Sequence, residues 1–457
     1  MSVSAFDSAM LGGLLGDGTI SALLDDRARI RAMLRVEAAL ARVQGELGII
    51  PQAAAAAIAT TAAALEIEPA KLAAGTARDG VPVPALVKAL RKAVGAAHAD
   101  HVHFGATSQD IVDTALVLTV TEALEVIAGR LHDSIELLAA LAERHAATIM
   151  AGRTRFQLAS PTTFGLKAAG WAAPLRRHLD RLAELRPRLA VVSLAGASGN
   201  LASLGERGGE VEAALARELG LGLAMAPWHA ARDTVAELAG WLSLVTGSLA
   251  KIGLDVLLLA QNEVGEVRPG AGGGSSTMPH KANPVAAEVL VTLGCTSAGR
   301  LAAMHHALLH AHERDGSAWL AEWLNLPELL VGAGAASRTA LVLLQDLVID
   351  ADAMTRRATA APGLLFSEPA VFALAAVMPR GEAEKQVAAA AKTALADGRH
   401  LVDVLAESLG PVIDWTALRR LDGTVAAATK RTREIVQALR APGVSAAGPA
   451  ATRPGPG

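Results

Sequence analysis

The sequence has 457 residues, 52% of them hydrophobic, with 42 Lys/Arg against 45 Asp/Glu and a formal net charge of −3. That length and apolar content support a large core divided among two or three domains, and exclude a disordered or repeat-only chain. Charges of both signs are interspersed, which excludes a basic face for nucleic acid and a polybasic run for an anionic membrane; the expected partners are small molecules and further copies of the chain.

Alanine and leucine dominate and tyrosine is absent, so intrinsic preference predicts an all-α fold. The opening stretch MSVSAFDSAM lacks the basic and apolar regions of a secretion signal, so a cytoplasmic location is expected. Residues 26–48 place Ile30, Met33, Leu34, Leu40, Val43 and Leu47 near one helical stripe, which Gly48 and Pro51 end. An alanine-rich helical block follows over 52–74, then a Gly/Pro turn and short helix in GTARDGVPVPALVKAL, then a polar loop at 100–110. Long apolar-rich helices are predicted over 111–149, 165–189, 230–265, 284–312 and 327–350, lengths that suit a bundle. Within them, 241–261 is the one membrane-like run; Lys251 and Asp255 interrupt it, and it reads as a buried bundle helix. Cys295 excludes an intrachain disulfide and a Cys-rich zinc site, and on its apolar helical run reads as a small buried side chain. Shorter helices follow after residue 352, and the Pro/Gly/Ala-rich tail reads as frayed. The expected organisation is three helical domains: 1–110, a central long-helix bundle over 111–351, and 352–457.

The interruptions at 151–165, 193–205 and 268–284 are where chemistry is expected. In GGGSSTMPHKANPVAAE (272–288), three glycines and two serines read as a lid, two prolines stiffen its exit, and a helix resumes with Glu288 in its first turns. Lys281 and Asn283 stand just before that helix, so a cation, an amide and helix N-terminal N–H groups converge on an anion, most simply a carboxylate. If a proton moves at the carbon beside that carboxylate, the doubly negative intermediate gains more from these groups than the ground state does.

The string from Gly274 to Pro284 resembles the G-S-S-x-M-P-x-K-x-N-P signature of the fumarase/aspartase superfamily, with Ala282 where an arginine is common. The resemblance implies Ser275 as the catalytic base or its conjugate acid, Lys281 and Asn283 as carboxylate ligands, and Ser276 and Met278 as lining residues. HVHFGATSQDIVDTA (101–115) resembles a second family segment, with His103, Thr107, Ser108, Gln109 and Asp110 at the expected places, which implies substrate contacts from His103, Thr107, Ser108 and Gln109; Thr107 or Ser108 is also a natural N-cap for the helix from 110.

A third segment, AGRTRFQLASPTTFG, is similar to one that reads T-H-x-Q in fumarases, argininosuccinate lyases and adenylosuccinate lyases, and implies Arg153, Arg155 and Gln157 at the site. Arg155 replaces the histidine that handles the leaving group's proton. Arginine is not deprotonated in proteins and cannot serve as a general acid, but its planar fork binds carboxylates. The leaving group must then be one that needs no proton, such as a carboxylate. This fits the cycloisomerase branch of the superfamily, in which a carboxylate of 3-carboxy-cis,cis-muconate adds to an alkene to form a lactone, and the resemblance to that branch runs from about residue 5 to 435. It further implies a homotetramer with a twenty-helix core, active sites pooled from separate subunits, a polycarboxylate substrate, and neither cofactor nor metal. A fumarate-releasing β-elimination, from adenylosuccinate or from a succinate carrying a group such as nitrite, is the alternative; an inactive scaffold would have no need of the intact lid string.

Other features stay open. His306 and His310 have the i,i+4 spacing of a metal pair, but without further ligands they read as solvent- or subunit-facing. Arg314 is either a substrate contact or an ion-pair partner of Asp315 or Glu313, and Arg232 either supports the site or pairs structurally. Ser198, Gly199 and Asn200 form a turn that can line the site.

Overall fold

The structure, a computed structural model, describes residues 4–270, 273–274, 278 and 281–441. It is all-α apart from three small two-stranded ladders. Short helices α1 (Gly12–Leu15) and α2 (Gly18–Leu24) lead into α3 (Asp26–Glu46), α4 (Gln52–Ala64), α5 (Ala70–Asp79) and α6 (Val83–Val94). The bundle follows: α7 (Ser108–Arg144), α8 (Phe164–Leu189), the shorter α9 (Gly208–Leu219), α10 (Asp233–Leu259), α11 (Val285–His306) and α12 (Gly316–Asp346). The C-terminal helices are α13 (Ala351–Thr359), α14 (Ser367–Leu374), α15 (Arg380–Asp397), α16 (Leu401–Leu409), α17 (Trp415–Arg420) and α18 (Asp422–Arg440).

The main apolar cluster runs the length of α7, α8, α10, α11 and α12 and takes in Leu124, Ile127, Leu175, Leu242, Leu290 and Leu330. Helices α10 and α11 approach closely because glycine faces the neighbour at two levels. A Cβ on Gly253 would lie 2.7 Å from the Ala287 carbonyl oxygen, and one on Gly294 would lie 2.5 Å from Ala250 Cβ. A second cluster joins α3–α6 and the start of α7 to Val192, Leu194, α9 and Trp319, so the N-terminal helices share their core with a segment a hundred residues downstream. A third lies among α14–α16 with Ala151, Ala358 and Leu421.

Several boundaries differ from the sequence expectation. The 52–74 block is two helices, parted at Leu65–Pro69. The helix expected to reach 149 ends at Arg144, because the chain turns at His145 into β1 (Ile149–Thr154), which pairs antiparallel with β2 (Gln157–Thr163). The helix expected over 327–350 begins eleven residues earlier: Asp315 accepts from the amides of Ser317 and Ala318 as N-cap, and Pro327 is carried inside the helix rather than opening it. Hydrogen bonds from the Ser317 hydroxyl, then from the amides of Ala311, Ala318 and Ser317, hold the Asp315 carboxyl well below the usual carboxylate range. Cys295 is exposed in the protomer, on the outward face of α11, and not buried. By length and composition alone α10, α11 and α12 could each cross a membrane, three helices where the sequence suggested one; 72% of the α12 window is buried within the protomer. The Pro/Gly-rich tail beyond residue 441 lies outside the described residues.

The remaining ladders join β3 (Val267–Arg268) to β6 (Val348–Ile349) and β4 (Gly273–Gly274) to β5 (Ala282–Asn283).

Candidate active site

At the start of α7, Thr107 and Asp110 form a capping box, with the Thr107 amide donating to Asp110 Oδ2 at 2.9 Å. Thr107 is the N-cap and Ser108 the first helical residue; both are partly exposed beside the positive end of the helix dipole. Asp110 does more than cap. It also accepts from the amides of Ala195 (2.9 Å) and Gly196 (3.1 Å) and pairs with His229 Nε2 at 2.7 Å. One buried carboxylate thereby draws the 193–200 turn and the 228–232 segment onto the end of α7.

Gln109 is fully buried, and its amide is committed to protein groups. Nε2 donates to Asp113 Oδ2 (3.0 Å) and to the His229 carbonyl (2.9 Å), which turns Oε1 toward Arg314 Nε at 2.9 Å. Gln109 therefore has its amide protons taken by protein groups and its oxygen on the exposed Arg314. No ion pair joins Arg314 to Asp315 or Glu313 among the described residues. Behind them Arg232, 2% exposed, bonds both carboxylate oxygens of Asp113 (2.7 and 3.2 Å) and of Glu322 (2.8 and 2.5 Å). Burial opposes its charge, but the two carboxylates outweigh it and raise the guanidinium further above its ordinary pKa. Of the two readings of Arg232, pairing is the one its contacts bear out. Trp319 Nε1 also donates to Asp113 Oδ1 at 3.2 Å.

His310 does not form a metal pair with His306. Helix α11 ends at His306, which breaks the i,i+4 relation, and the His310 ring is buried, 3.7 Å from Glu322, with no hydrogen bond at either nitrogen. Burial, more than the charges around it, lowers its pKa. Among the described residues no group of three or more His, Cys, Asp or Glu side chains is arranged to hold a metal ion.

His103 lies at the same end, its Nδ1 2.6 Å from Oε1 of the buried Glu37. Burial works against the imidazolium, but the hydrogen bond and charge of Glu37 prevail and raise its pKa above 6.5. Glu37, Asp113 and His229 are the residues that reading the sequence missed. Glu37 had left a signal, a carboxylate set between Val36 and Ala38 on the apolar face of α3.

The other segments lie at the far end of the bundle. Arg155 and Phe156 form a two-residue turn between β1 and β2, with φ of 50° and 64°. Phe156 is 84% exposed and Arg155 and Gln157 are exposed too, so the tip projects from the protomer. Arg153, expected at substrate, instead makes a bidentate pair with the fully buried Glu266 (2.9 and 2.7 Å), tying the hairpin to the strand that leads into the 268–284 loop. The β4–β5 ladder closes the base of that loop, which leaves Lys281 and Met278 exposed and Asn283 half-buried. Glu288 stands in the first turn of α11 as expected. Ser275 and Ser276 lie outside the described residues.

These two ends are far apart. The 37 residues of α7 separate the Thr107 end from the hairpin end, which at about 1.5 Å per residue is about 55 Å. Within one chain the residues expected to bind carboxylate therefore fall into two groups, one at each end of α7, each a candidate half-site.

A family model described as lyase matches residues 19–299. A 3-carboxy-cis,cis-muconate cycloisomerase from Pseudomonas aeruginosa is 45% identical, over 84% of this chain and 85% of its own length. A nitrosuccinate lyase from Streptomyces davaonensis is 38% identical over 87% of each chain. Among solved structures, the 3-carboxy-cis,cis-muconate lactonizing enzyme of Pseudomonas putida superposes with a TM-score of 0.88 at 37% identity, covering 94% of this chain and 100% of that one.

Proposed function

Because the chain belongs to the lyase family of the fumarase/aspartase superfamily, we propose that it is a cycloisomerase converting 3-carboxy-cis,cis-muconate to its carboxymuconolactone. The observation that carries this reading is the likeness to cycloisomerases over most of the chain, and Arg155 supplies its chemical sense. In lactonisation a substrate carboxylate oxygen forms a bond to an alkene carbon. The π electrons move to the carbon beside a second carboxylate, and that carbon then takes a proton. Three carboxylates become two and a lactone, so one proton is consumed overall. In the reverse direction the group that leaves is a carboxylate, which needs no general acid.

On this reading Ser275 carries the α-proton. Lys281, Asn283, Thr107, Ser108, His103, Arg155 and Arg314 hold carboxylates and the enolate-like intermediate, whose extra charge these groups stabilise more than they do the substrate. All bond changes are polar and run through one proton, so the chemistry asks for no cofactor.

We further propose that the half-sites are completed in a homotetramer. The separation along α7 supports this, as does α11, which keeps Thr292, Cys295, Thr296, Ala298 and Gly299 exposed on an otherwise apolar helix, a face suited to close helix packing.

A fumarate-releasing elimination is the second reading, favoured by the likeness to the nitrosuccinate lyase. An ultraviolet assay with 3-carboxy-cis,cis-muconate separates the two. Loss of the conjugated diene with lactone formed, without added metal or cofactor, is expected; an unchanged spectrum together with fumarate released from nitrosuccinate would select the alternative.

A further inference from the structure

We propose that Glu37 is a positioning residue for this reaction, holding the His103 imidazole so that it meets a substrate carboxylate as a cation. The inference rests on the carboxylate-substrate reading above. Glu37 is 1% exposed in the middle of α3, where an apolar side chain would fill the space without the desolvation that a buried carboxylate suffers. Among the described residues its one hydrogen bond is to His103 Nδ1, and Oε2 has no hydrogen-bond partner.

The backbone turns the histidine back onto α3. His103 has φ of 62°, a left-handed conformation uncommon for such a side chain, and the carbonyls on both sides of it are captured. Val102 O accepts from Arg91 Nη2 at 3.2 Å, and Phe104 O from Gln44 Nε2 at 2.7 Å. With Nδ1 committed to Glu37, Nε2 has no protein partner among the described residues. The ring stays 16% accessible, four residues from the N-cap of α7 where the carboxylate-binding hydroxyls stand. A strained, doubly clamped backbone and a buried carboxylate whose sole partner is one ring nitrogen make little sense as packing; together they orient the other nitrogen.

The charged groups facing the ring are Glu37 from α3, Asp110 from α7 and Arg91 from α6. Burial and Arg91 disfavour the cation; Glu37, with help from Asp110, reverses the balance. The imidazolium therefore persists at pH values where a free imidazole has lost its proton, and disappears as pH rises through the raised pKa.

The test is the pH dependence of KM and kcat for 3-carboxy-cis,cis-muconate in the intact enzyme and its variants. For the wild type, KM is expected to rise with pH through an ionisation above 6.5. Glu37→Gln is expected to move that ionisation below 6.5 and to raise KM near neutral pH about tenfold, with kcat changed much less. His103→Asn abolishes the ionisation, and adding Glu37→Gln to it raises KM no further. A Glu37→Gln profile that superimposes on the wild type, or losses that add in the double variant, overturns the proposal. Should Glu37→Gln fail to fold, Glu37→Asp, which keeps the charge but withdraws it from Nδ1, is expected to lower the ionisation by less, and an unchanged value has the same overturning force. If the wild type does not turn over this substrate, it is the cycloisomerase reading that has failed. The pair is then tested by calorimetric binding of tricarballylate in buffers of different ionisation enthalpy: proton uptake present in the wild type and lost in His103→Asn and Glu37→Gln supports it, and identical uptake in all three refutes it.

Discussion

Arg314 and Gln109 were both singled out by the sequence, but their contact with each other was not legible there, because an amide's orientation depends on which groups surround it. Asp113 and the His229 carbonyl take the Gln109 amide protons and leave only its oxygen for Arg314. Gln109→Leu is therefore expected to raise KM by on the order of tenfold, close to the effect of Arg314→Ala, and the double variant to be no worse than the poorer single; additive losses in steady-state kinetics would place Gln109 on the substrate instead. Arg232 was equally ambiguous in sequence, since nothing local marks Asp113 and Glu322 as its partners. Arg232→Met leaves both carboxylates buried and unpaired, and is expected to destabilise the fold by about 3–5 kcal/mol, read from denaturant unfolding. Histidine titration acts at the same scale but on stability. Burial, then Arg181, pushes His178 down to about 4, and burial, then Arg419, does the same to His400. Both are depressed below the unfolded value of 6.5, so the stability that comes from keeping them neutral is complete above 6.5 and is lost as pH falls toward about 4. A thermal midpoint that drops over that window in the wild type, and drops less in a His178→Gln variant, is the expected result.

Among the elements, the β1–β2 hairpin departs most from what its sequence suggests. Type I′ turns favour Asn-Gly, and a turn of Arg155 and Phe156 places two bulky residues at positive φ. The left-handed conformation costs an L-residue roughly 1–2 kcal/mol, and the hairpin tolerates it because Arg153 pins one strand to Glu266 while β2 runs directly into α8. Arg155→Gly is expected to leave stability unchanged or raise it by up to about 1 kcal/mol while raising KM. Such a split would separate a residue kept for binding from one kept for folding; a parallel loss of stability and activity would argue that Arg155 packs. The long helices were legible from their apolar content. Their ends were not, because those are set by Asp315 capping α12 and by the chain reversal at His145.

For the whole molecule, the half-sites some 55 Å apart along α7 carry a prediction about assembly. Mixing an impaired Ser108→Ala protein with an impaired Arg155→Ala protein, one altered at each end of α7, under conditions that exchange subunits, is expected to restore part of the activity; a mixture no better than its components would mean that each chain supplies both residues to the same site. The amino-acid sequence was enough for the helical class and the family, and it located the lid string and Arg155 from which the proposed chemistry is argued. These follow from residue identity and local spacing, which do not change on folding. Tertiary structure alone decided that Arg153 belongs to Glu266, that Gln109 serves Arg314, and that Glu37 stands behind His103. Each of those is a contact between segments 66 to 205 residues apart, and a charge or amide takes its role from the partner that burial forces on it.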